Sequence, residues 1–398
     1  MALSLSKTSH AESEWTMESA ASGLSNWPGY GMALAATSIL IGIIWDISWH
    51  MSIGRDTFWT PAHMAIYFGG ALAGSIGGWL ALKYTFFSTP EERAASVNIF
   101  GARAPLGAWV AIWGAMAMLT SAPFDDWWHN AYGLDVKIIS PPHTLLGLGM
   151  LAVSIGALLL TLARQNREAN GVGSGLFIYV GAIFLTFGTV FITEFAYPNM
   201  QHGYACYKWC AWMIPIRLVT MGRAARISWP ATRVAAVYMM LQCLMVWILP
   251  LFPAQPKLAP IFTPVTHMVP PLFPLLLVVP AFGIDLFLRN MGDDFRWWRI
   301  DRAIIVAAIF LSLLLATQWF FSEFMLSPHA ENWFFAGNRN WSYGTWPGEW
   351  HKEFWDMNPS AWDNQILTPV RLLKCWLFAS LMSWIALLWG SWMRKVKR

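Results

Sequence analysis

Apolar runs of about twenty residues recur along this 398-residue chain and constrain its fold more than any other feature. A run of that length crosses the hydrocarbon core of a bilayer when it is helical. Charged residues make up only 12% of the chain, against roughly 25% in a soluble globular protein. The sequence therefore predicts an all-α, polytopic integral membrane protein surrounded by a lipid bilayer.

About ten transmembrane helices are predicted, separated by loops that hold most of the charged residues. The sixth span is the weakest, because Lys208, Pro215 and Arg217 interrupt it, and a short, tilted or interfacial helix is the alternative there. The predicted spans are 31–49, 61–83, 106–122, 142–163, 174–195, 204–221, 233–251, 264–288, 303–323 and 367–391.

The segments around these spans differ in composition. A polar tail, 1–30, precedes the first span, and it lacks the basic start and short apolar core of a cleavable signal peptide. Residues 165–323 are predicted to hold further transmembrane helices. A loop rich in tryptophan, 324–366, is predicted to form an ordered extracytoplasmic cap and a surface for a partner. The last span and a basic tail make up 367–398.

Basic residues near span ends set the orientation of a membrane protein, because they favour the cytoplasmic side. With ten spans, five basic groups fall on the same side as both termini, which are therefore predicted to be cytoplasmic in a bacterial inner membrane. A net charge of +4, spread over short loops, gives no reason to expect a nucleic-acid partner. Eight of the nine histidines then fall on the opposite, extracytoplasmic side. The basic groups are Lys83, Arg93 and Arg103; Arg164 and Arg167; Arg223, Arg226 and Arg233; Arg289, Arg296, Arg299 and Arg302; and Arg394, Lys395, Lys397 and Arg398.

Two stretches share a pattern of polar residues, WDISWHMSIGRDTFWTPAHM and DDWWHNAYGLDVKIISPPHT. Each contains Asp-x3-His, then Gly-x-Asp, then Pro-x-His, and the second copy has one extra residue before its last histidine. The pattern predicts a parallel duplication of a helix–loop–helix unit over residues 31–164. The candidate metal ligands are Asp46, His50 and His63 in the first copy and Asp125, His129 and His143 in the second.

The spacing of these residues suits a metal site. An Asp and a His four positions apart lie on one face of a helix. Thr60-Pro61 and Ser140-Pro141 are typical helix starts, with a hydroxyl residue before a proline, so each later histidine lies at the mouth of the next helix. One carboxylate and two imidazoles can bind a transition metal and leave other positions open. The alternative is that these groups only satisfy one another and water at a hydrated membrane rim.

Asp46-x3-His50-x12-His63 resembles the Asp-His-His copper site in the membrane C subunit of the particulate methane and ammonia monooxygenases. The resemblance covers about twenty of the 398 residues and implies a copper site at these three positions. The length, the ten spans and the internal duplication depart from that subunit. The chain as a whole resembles a family of bacterial multi-span membrane proteins.

Further polar residues mark additional candidate ligands near the same membrane side. Glu194 and Glu323 end two spans, and such carboxylates usually have a partner. We expect His202 or His267 to pair with Glu194, and His329 to pair with Glu323; a hydrated interfacial glutamate is the alternative. His202, Cys206 and Cys210 follow one another at every fourth position, which suits a Cu(I) or zinc site or else a group of buried, unreactive thiols.

The leading hypothesis is a membrane-embedded metal-binding protein, with copper favoured and zinc, iron or haem as alternatives. It is predicted to serve an oxidative enzyme or a respiratory or monooxygenase-type complex, together with other membrane subunits or a periplasmic redox partner. Three alternatives stay open: a copper transport or delivery protein, a haem protein with His63 and His143 as axial ligands, and a structural subunit. The near absence of ionisable residues from the middle of the spans counts against transport.

Overall fold

A computed structural model describes residues 26–133, 140–167, 174–257, 265–291, 299–336 and 366–398 of the protein. The described part is almost entirely helical, apart from a two-stranded antiparallel hairpin of β1 (Val97–Ile99) and β2 (Ala102–Ala104). The helices in chain order are α1 Trp27–Ser52, α2 Pro61–Phe86, α3 Pro90–Ala94, α4 Leu106–Tyr132, α5 Pro141–Arg167, α6 Ser174–Val190, α7 Tyr204–Met213, α8 Pro215–Ala224, α9 Pro230–Ile248, α10 Val278–Arg289, α11 Ile300–Met325 and α12 Pro369–Met393.

Seven helices in the described ranges are long and apolar enough to cross a bilayer. They are α1, α2, α4, α5, α9 (taken to Leu251), α11 and α12, and α6 is a shorter apolar helix. Large apolar side chains such as Leu34, Leu119 and Phe320 are exposed on these helices, as expected where a helix faces lipid. The protein is therefore a helical membrane protein whose apolar helices contact the bilayer.

Helices α1 and α2 form one antiparallel hairpin, and α4 and α5 form another. Small residues let each hairpin close tightly. A Cβ atom on Gly69 would lie 2.6 Å from the Ala35 carbonyl oxygen, and one on Gly149 would lie 2.8 Å from the Gly114 carbonyl oxygen. Ala35 and Gly114 each lie eleven residues before the aspartate of their own hairpin. The two hairpins thus share a close helix contact at matching positions.

Helix α2 also packs against α4, and this contact sets the two hairpins side by side. Gly70 faces Met118 and Gly77 faces Ile112, so α2 and α4 run antiparallel. The start of α2 therefore lies beside the end of α4. As a result, both Asp–His motifs lie at the same end of the helix bundle, which we call the histidine end.

The predicted sixth and eighth spans differ from the structure. The sixth is divided into α7 and α8 at Ile214, because Pro215 has no amide hydrogen to continue the helix. The eighth, predicted over 264–288, is helical only from Val278 to Arg289. The fifth also ends earlier than predicted, at Val190, and continues as a short 3-10 turn at Thr193–Phe195.

The non-helical segment 265–277 packs inside the bundle, with Val269 and Leu277 almost fully buried. Buried backbone groups need hydrogen-bond partners, and here side chains of neighbouring helices provide them. Ser48 donates to the Val269 carbonyl and the Ser52 hydroxyl accepts from the Val269 amide, while the Leu276 amide donates to Gln318 over 2.9 Å.

Basic residues of three separate segments meet at the opposite end of the bundle, which we call the basic end. Arg167 donates to the Lys397 carbonyl over 2.9 Å, and Arg226 donates to Asn166 over 3.2 Å and to the Arg394 carbonyl over 3.4 Å. The end of α5, the segment after α8 and the C-terminal segment therefore lie together, one helix length from the Asp–His motifs.

Candidate metal centre

The first Asp–His cluster lies where α1 ends and α2 begins. Asp46 and His50 are one helical turn apart on α1, with 3.8 Å between Asp46 Oδ2 and His50 Nε2. His63 enters from the first turn of α2, with 3.3 Å between its Nε2 and Asp46 Oδ1. The Pro61 start holds His63 at this position, and the α1–α2 loop of eight residues keeps the two helix ends close.

Asp56 also belongs to this cluster, and the sequence analysis did not include it as a ligand. Its Oδ2 lies 3.5 Å from His50 Nε2 and 2.7 Å from His63 Nε2. Burial opposes ionisation of Asp56, but hydrogen bonds from the two imidazoles and their charges outweigh it and hold the pKa of this carboxyl well below its usual range. Asp56 is therefore a carboxylate and a second oxygen donor at the cluster.

The second cluster repeats the first in its geometry. Asp125 Oδ2 lies 3.4 Å from His129 Nε2 on the same helix, and Asp125 Oδ1 lies 3.4 Å from His143 Nε2 on the next helix. In both clusters, Oδ2 of the aspartate faces the histidine of its own helix and Oδ1 faces the histidine of the following helix. Hydrogen bonds position the two histidines of the second cluster, because the Ser140 hydroxyl accepts from the His143 amide and His129 Nδ1 lies 3.3 Å from the Gly133 carbonyl.

The distances between donor atoms suit an ion held among them. Two ligands bound at about 2.1 Å from one metal, at a tetrahedral angle, lie roughly 3.4 Å apart. The donor atoms of Asp46, His50 and Asp56, and likewise those of Asp125, His129 and His143, all lie within 4.8 Å of one another. Each triad is therefore compact enough for one ion. The 2.7 Å contact between His63 and Asp56 is instead a direct hydrogen bond.

One buried carboxylate oxygen in each cluster has only a long contact with a histidine. Asp46 Oδ1 and Asp125 Oδ1 are inaccessible, make no well-aligned hydrogen bond within the described residues, and lie 3.3 and 3.4 Å from Nε2 of the histidine on the next helix. Burial of a carboxylate oxygen with weak hydrogen bonding is costly, and a bound cation would reduce that cost. The donor set at both sites is therefore compatible with a metal ion.

The remaining candidate ligands do not join either cluster. His202 stacks on Trp319 with 3.8 Å between ring centroids, and its Nε2 lies 3.1 Å from the Trp319 carbonyl and 3.9 Å from Glu323. The expected pairing of Glu323 with His329 is wrong, since His202 is the histidine beside this carboxylate. Within the described residues, His202, Cys206 and Cys210 do not form a group of metal-type ligands, and the two cysteines are buried free thiols.

Glu194, His267 and His329 lie in other parts of the structure. Glu194 is in the 3-10 turn after α6, and His329 is in a 3-10 turn after α11, where its carbonyl accepts from Asn332. His267 pairs with Pro253 in an isolated bridge and shares a 3.0 Å hydrogen bond with Thr266. Within the described ranges, none of the three joins a group of metal-type ligands.

Some predicted features lie outside the described residues. They are Asp135, the counterpart of Asp56 in the second copy; the Thr263-Pro264 start predicted for the eighth span; most of the polar tail 1–30; and the greater part of the cap 324–366, including His351.

Comparison of the chain with protein-family models, with curated proteins and with solved structures gave no match in any of the three. Imidazole and carboxylate donors at a helix mouth suit Cu(II), Zn(II) or Fe(II), and each triad leaves coordination positions open.

Proposed function

We propose that this protein is a membrane-embedded metal-binding protein with two related sites at its histidine end, one in each hairpin. The ligands are Asp46, His50 and Asp56 at the first site, with His63 as a further donor. At the second site they are Asp125, His129 and His143. Copper is the metal we favour, because imidazole and carboxylate donors suit Cu(II) and the outer face of a bacterial membrane is oxidising.

The observation that carries this proposal is the repeated geometry. The same carboxylate oxygens face the same two histidines in both hairpins, and the donor atoms of each triad lie within 4.8 Å of one another. Imidazole and carboxylate donors gathered this closely at a helix mouth suit a transition-metal ion. The matching helix contacts and the glycines with positive φ, Gly54 (111°) and Gly133 (95°), support an internal duplication of the two hairpins.

The basic residues at the opposite end of the bundle support a membrane orientation in which the basic end is cytoplasmic and the histidine end is periplasmic. Short basic segments favour the cytoplasmic side. Arg167, Arg226 and Arg394 meet at the basic end. We infer that the C-terminus is cytoplasmic and that both clusters face the periplasm, where a redox partner or another membrane subunit has access to them. Labelling of a single cysteine introduced at Lys397, with a reagent that does not cross membranes, should succeed only after the membrane is opened.

A role in an oxidative enzyme or a respiratory or monooxygenase-type complex suits these sites better than transport. A metal transporter needs polar groups along its route through the bilayer. Below the clusters, α1, α2, α4 and α5 have no Asp, Glu, His, Lys, Arg or Cys over residues 27–45, 64–82, 106–124 and 144–163. The four helices that hold the ligands therefore offer no path by which a metal ion could continue inward.

Copper loading followed by electron paramagnetic resonance tests the proposal directly. The purified protein should bind Cu(II) and show hyperfine structure from imidazole nitrogens. His50→Ala should weaken this signal, and His329→Ala is the matched control because His329 lies outside both clusters. Binding of zinc instead of copper would support the two sites but reject copper as their metal. A strong Soret absorbance would favour haem. Retention of the full copper signal in His50→Ala would reject the site.

A further inference from the structure

A second feature, unrelated to the Asp–His clusters, is a cavity of about 390 Å³ between α5, α6, α7, α8 and α12. Its walls are apolar and rich in tryptophan, with Trp209, Trp212 and Trp389 among the lining residues. The only charged residue in its lining is Arg217. Ile155 and Met382 also line it, and each lies near the middle of a long helix, so the cavity is at mid-height in the bundle.

Arg217 is held in place by protein groups that use only part of its donor capacity. Its Nε donates to the Phe184 carbonyl over 3.0 Å, and its Nη1 donates to the Met213 carbonyl. The break at Ile214 makes this second bond possible, because the Arg217 amide bonds to the Ile214 carbonyl and leaves that of Met213 available. Gly188 provides the room, since a Cβ there would lie 2.5 Å from Arg217 Nε.

The charge of Arg217 has no counter-ion in the part of the chain that the structure describes. The side chain is 6% exposed, and no described carboxylate lies within ion-pair distance of it. A guanidinium stays protonated in proteins and has five N–H donors; here two bond to carbonyl oxygens, and Nη1 also lies 3.7 Å from the Met213 sulfur, so at least two donors remain. A buried cation at membrane depth without a partner is costly and typically marks a functional site.

We propose that this cavity binds a long-chain carboxylate, with the carboxylate on Arg217 and the acyl chain along the tryptophan-lined wall. A carboxylate supplies the missing negative charge and accepts the remaining guanidinium hydrogen bonds in parallel. The apolar walls suit a methylene chain, and the volume is within the usual range for small-molecule sites of roughly 300 to 1,000 Å³. A phospholipid, with two acyl chains and a larger head group, is too large for a cavity of about 390 Å³.

Binding of tritiated palmitate to the delipidated, detergent-solubilised protein tests the proposal. Palmitate should bind saturably at one site per chain. Hexadecanol, which has the same chain without the charge, should compete at least tenfold more weakly than unlabelled palmitate. Phosphatidylglycerol and a quinone with an isoprenoid tail should not compete. Equal competition by hexadecanol, preferential competition by either of the other two lipids, or a folded protein that binds no palmitate would each overturn the proposal.

Substitutions at two positions, Arg217 and Ile155, locate the site. Arg217→Gln should weaken palmitate binding at least tenfold, and Arg217→Lys, which keeps the charge, should restore part of it. Ile155→Trp should block the cavity while leaving Arg217 in place. Arg233→Gln removes an exposed positive charge outside the cavity and is the matched control. Unchanged binding in folded Arg217→Gln, or in folded Ile155→Trp, would contradict the assignment; if neither variant folds, the comparison of palmitate with hexadecanol on the natural protein decides.

Discussion

Within the described residues, the hairpin α1–α2 and the hairpin α4–α5 carry the same cluster with one difference. The described ligands of the second cluster, Asp125, His129 and His143, all lie at helix ends, whereas the first cluster also has a carboxylate from the loop, Asp56. The sequence counterpart of Asp56, Asp135, lies outside the described residues. The helix ends therefore define the part of the site that both hairpins share, and in the first hairpin the loop adds negative charge and a hydrogen bond to His63.

Removal of the second-helix histidine should have the largest effect and should act on one hairpin at a time. His63→Ala should weaken the first site and leave the second unchanged, and His143→Ala should do the reverse. Loss of one of three or four donors should lower affinity for that ion more than a hundredfold, a larger effect than the 10- to 100-fold change known for outer-shell residues. Metal titration of each variant measures the affinity and the number of ions bound per chain. Loss of both ions in either single variant would mean that the hairpins share one site.

Asp56→Asn tests the difference between the two clusters. The substitution removes a negative charge and a donor from the first site only, so its affinity should fall by about 10- to 100-fold while that of the second site stays the same. Asp126→Asn is the control, because Asp126 is adjacent to Asp125 but bonds Asn130 instead. An equal fall at both sites would show that Asp56 acts on the protein as a whole.

The shared helix contacts are tested by glycine substitutions. Gly69→Ala and Gly149→Ala would each press a Cβ against the backbone of the facing helix, and such overpacking typically costs about 1 to 3 kcal/mol. Gly78→Ala lies on the same helix as Gly69 with open space around it and should be tolerated. Thermal unfolding in detergent gives the comparison. Destabilisation by only one of the first two would indicate that the hairpins do not pack alike.

The turn glycines should give the smallest effect. Gly54 and Gly133 both adopt positive φ, which L side chains avoid at a cost of about 1 to 2 kcal/mol. Gly54→Ala and Gly133→Ala should therefore destabilise the protein slightly and to a similar extent, as measured by the same thermal unfolding. No change in either variant would show that the two turns can relax without strain.

The sequence predicted the hairpins well because local signals define them. Apolar runs mark the helices, and Thr60-Pro61 and Ser140-Pro141 mark the starts of α2 and α5 within one residue of the structure. Hydropathy wrongly predicted a helix at 265–277, because this buried non-helical segment is as apolar as a transmembrane helix. The local signal against a helix was the presence of three prolines, Pro270, Pro271 and Pro274. Polar side chains on other helices satisfy the backbone of this segment, and no local pattern predicts those contacts.

The site was predicted in the same uneven way. Asp46, His50 and His63 converge as the helical spacing indicated. Asp46 and His50 lie one turn apart on the same helix, and the proline at the start of the next helix fixes the position of His63. Asp56 was missed, although Gly54-x-Asp56 recurs as Gly133-x-Asp135, since periodicity does not give the path of a loop. The neighbour of Glu323 came from a distant segment, at His202, and such long-range pairing has no local signal.

We propose that each hairpin holds its own metal ion, and the metal content of the natural protein decides whether this is so. The protein is purified from its own membranes without added metal and analysed by elemental mass spectrometry, beside an Asp46→Ala/Asp125→Ala double variant of verified fold. We expect about two ions per chain in the natural protein and less than a tenth of that in the double variant. A natural protein without stoichiometric metal, or a double variant that keeps its ions, would rule out a metal site in each hairpin.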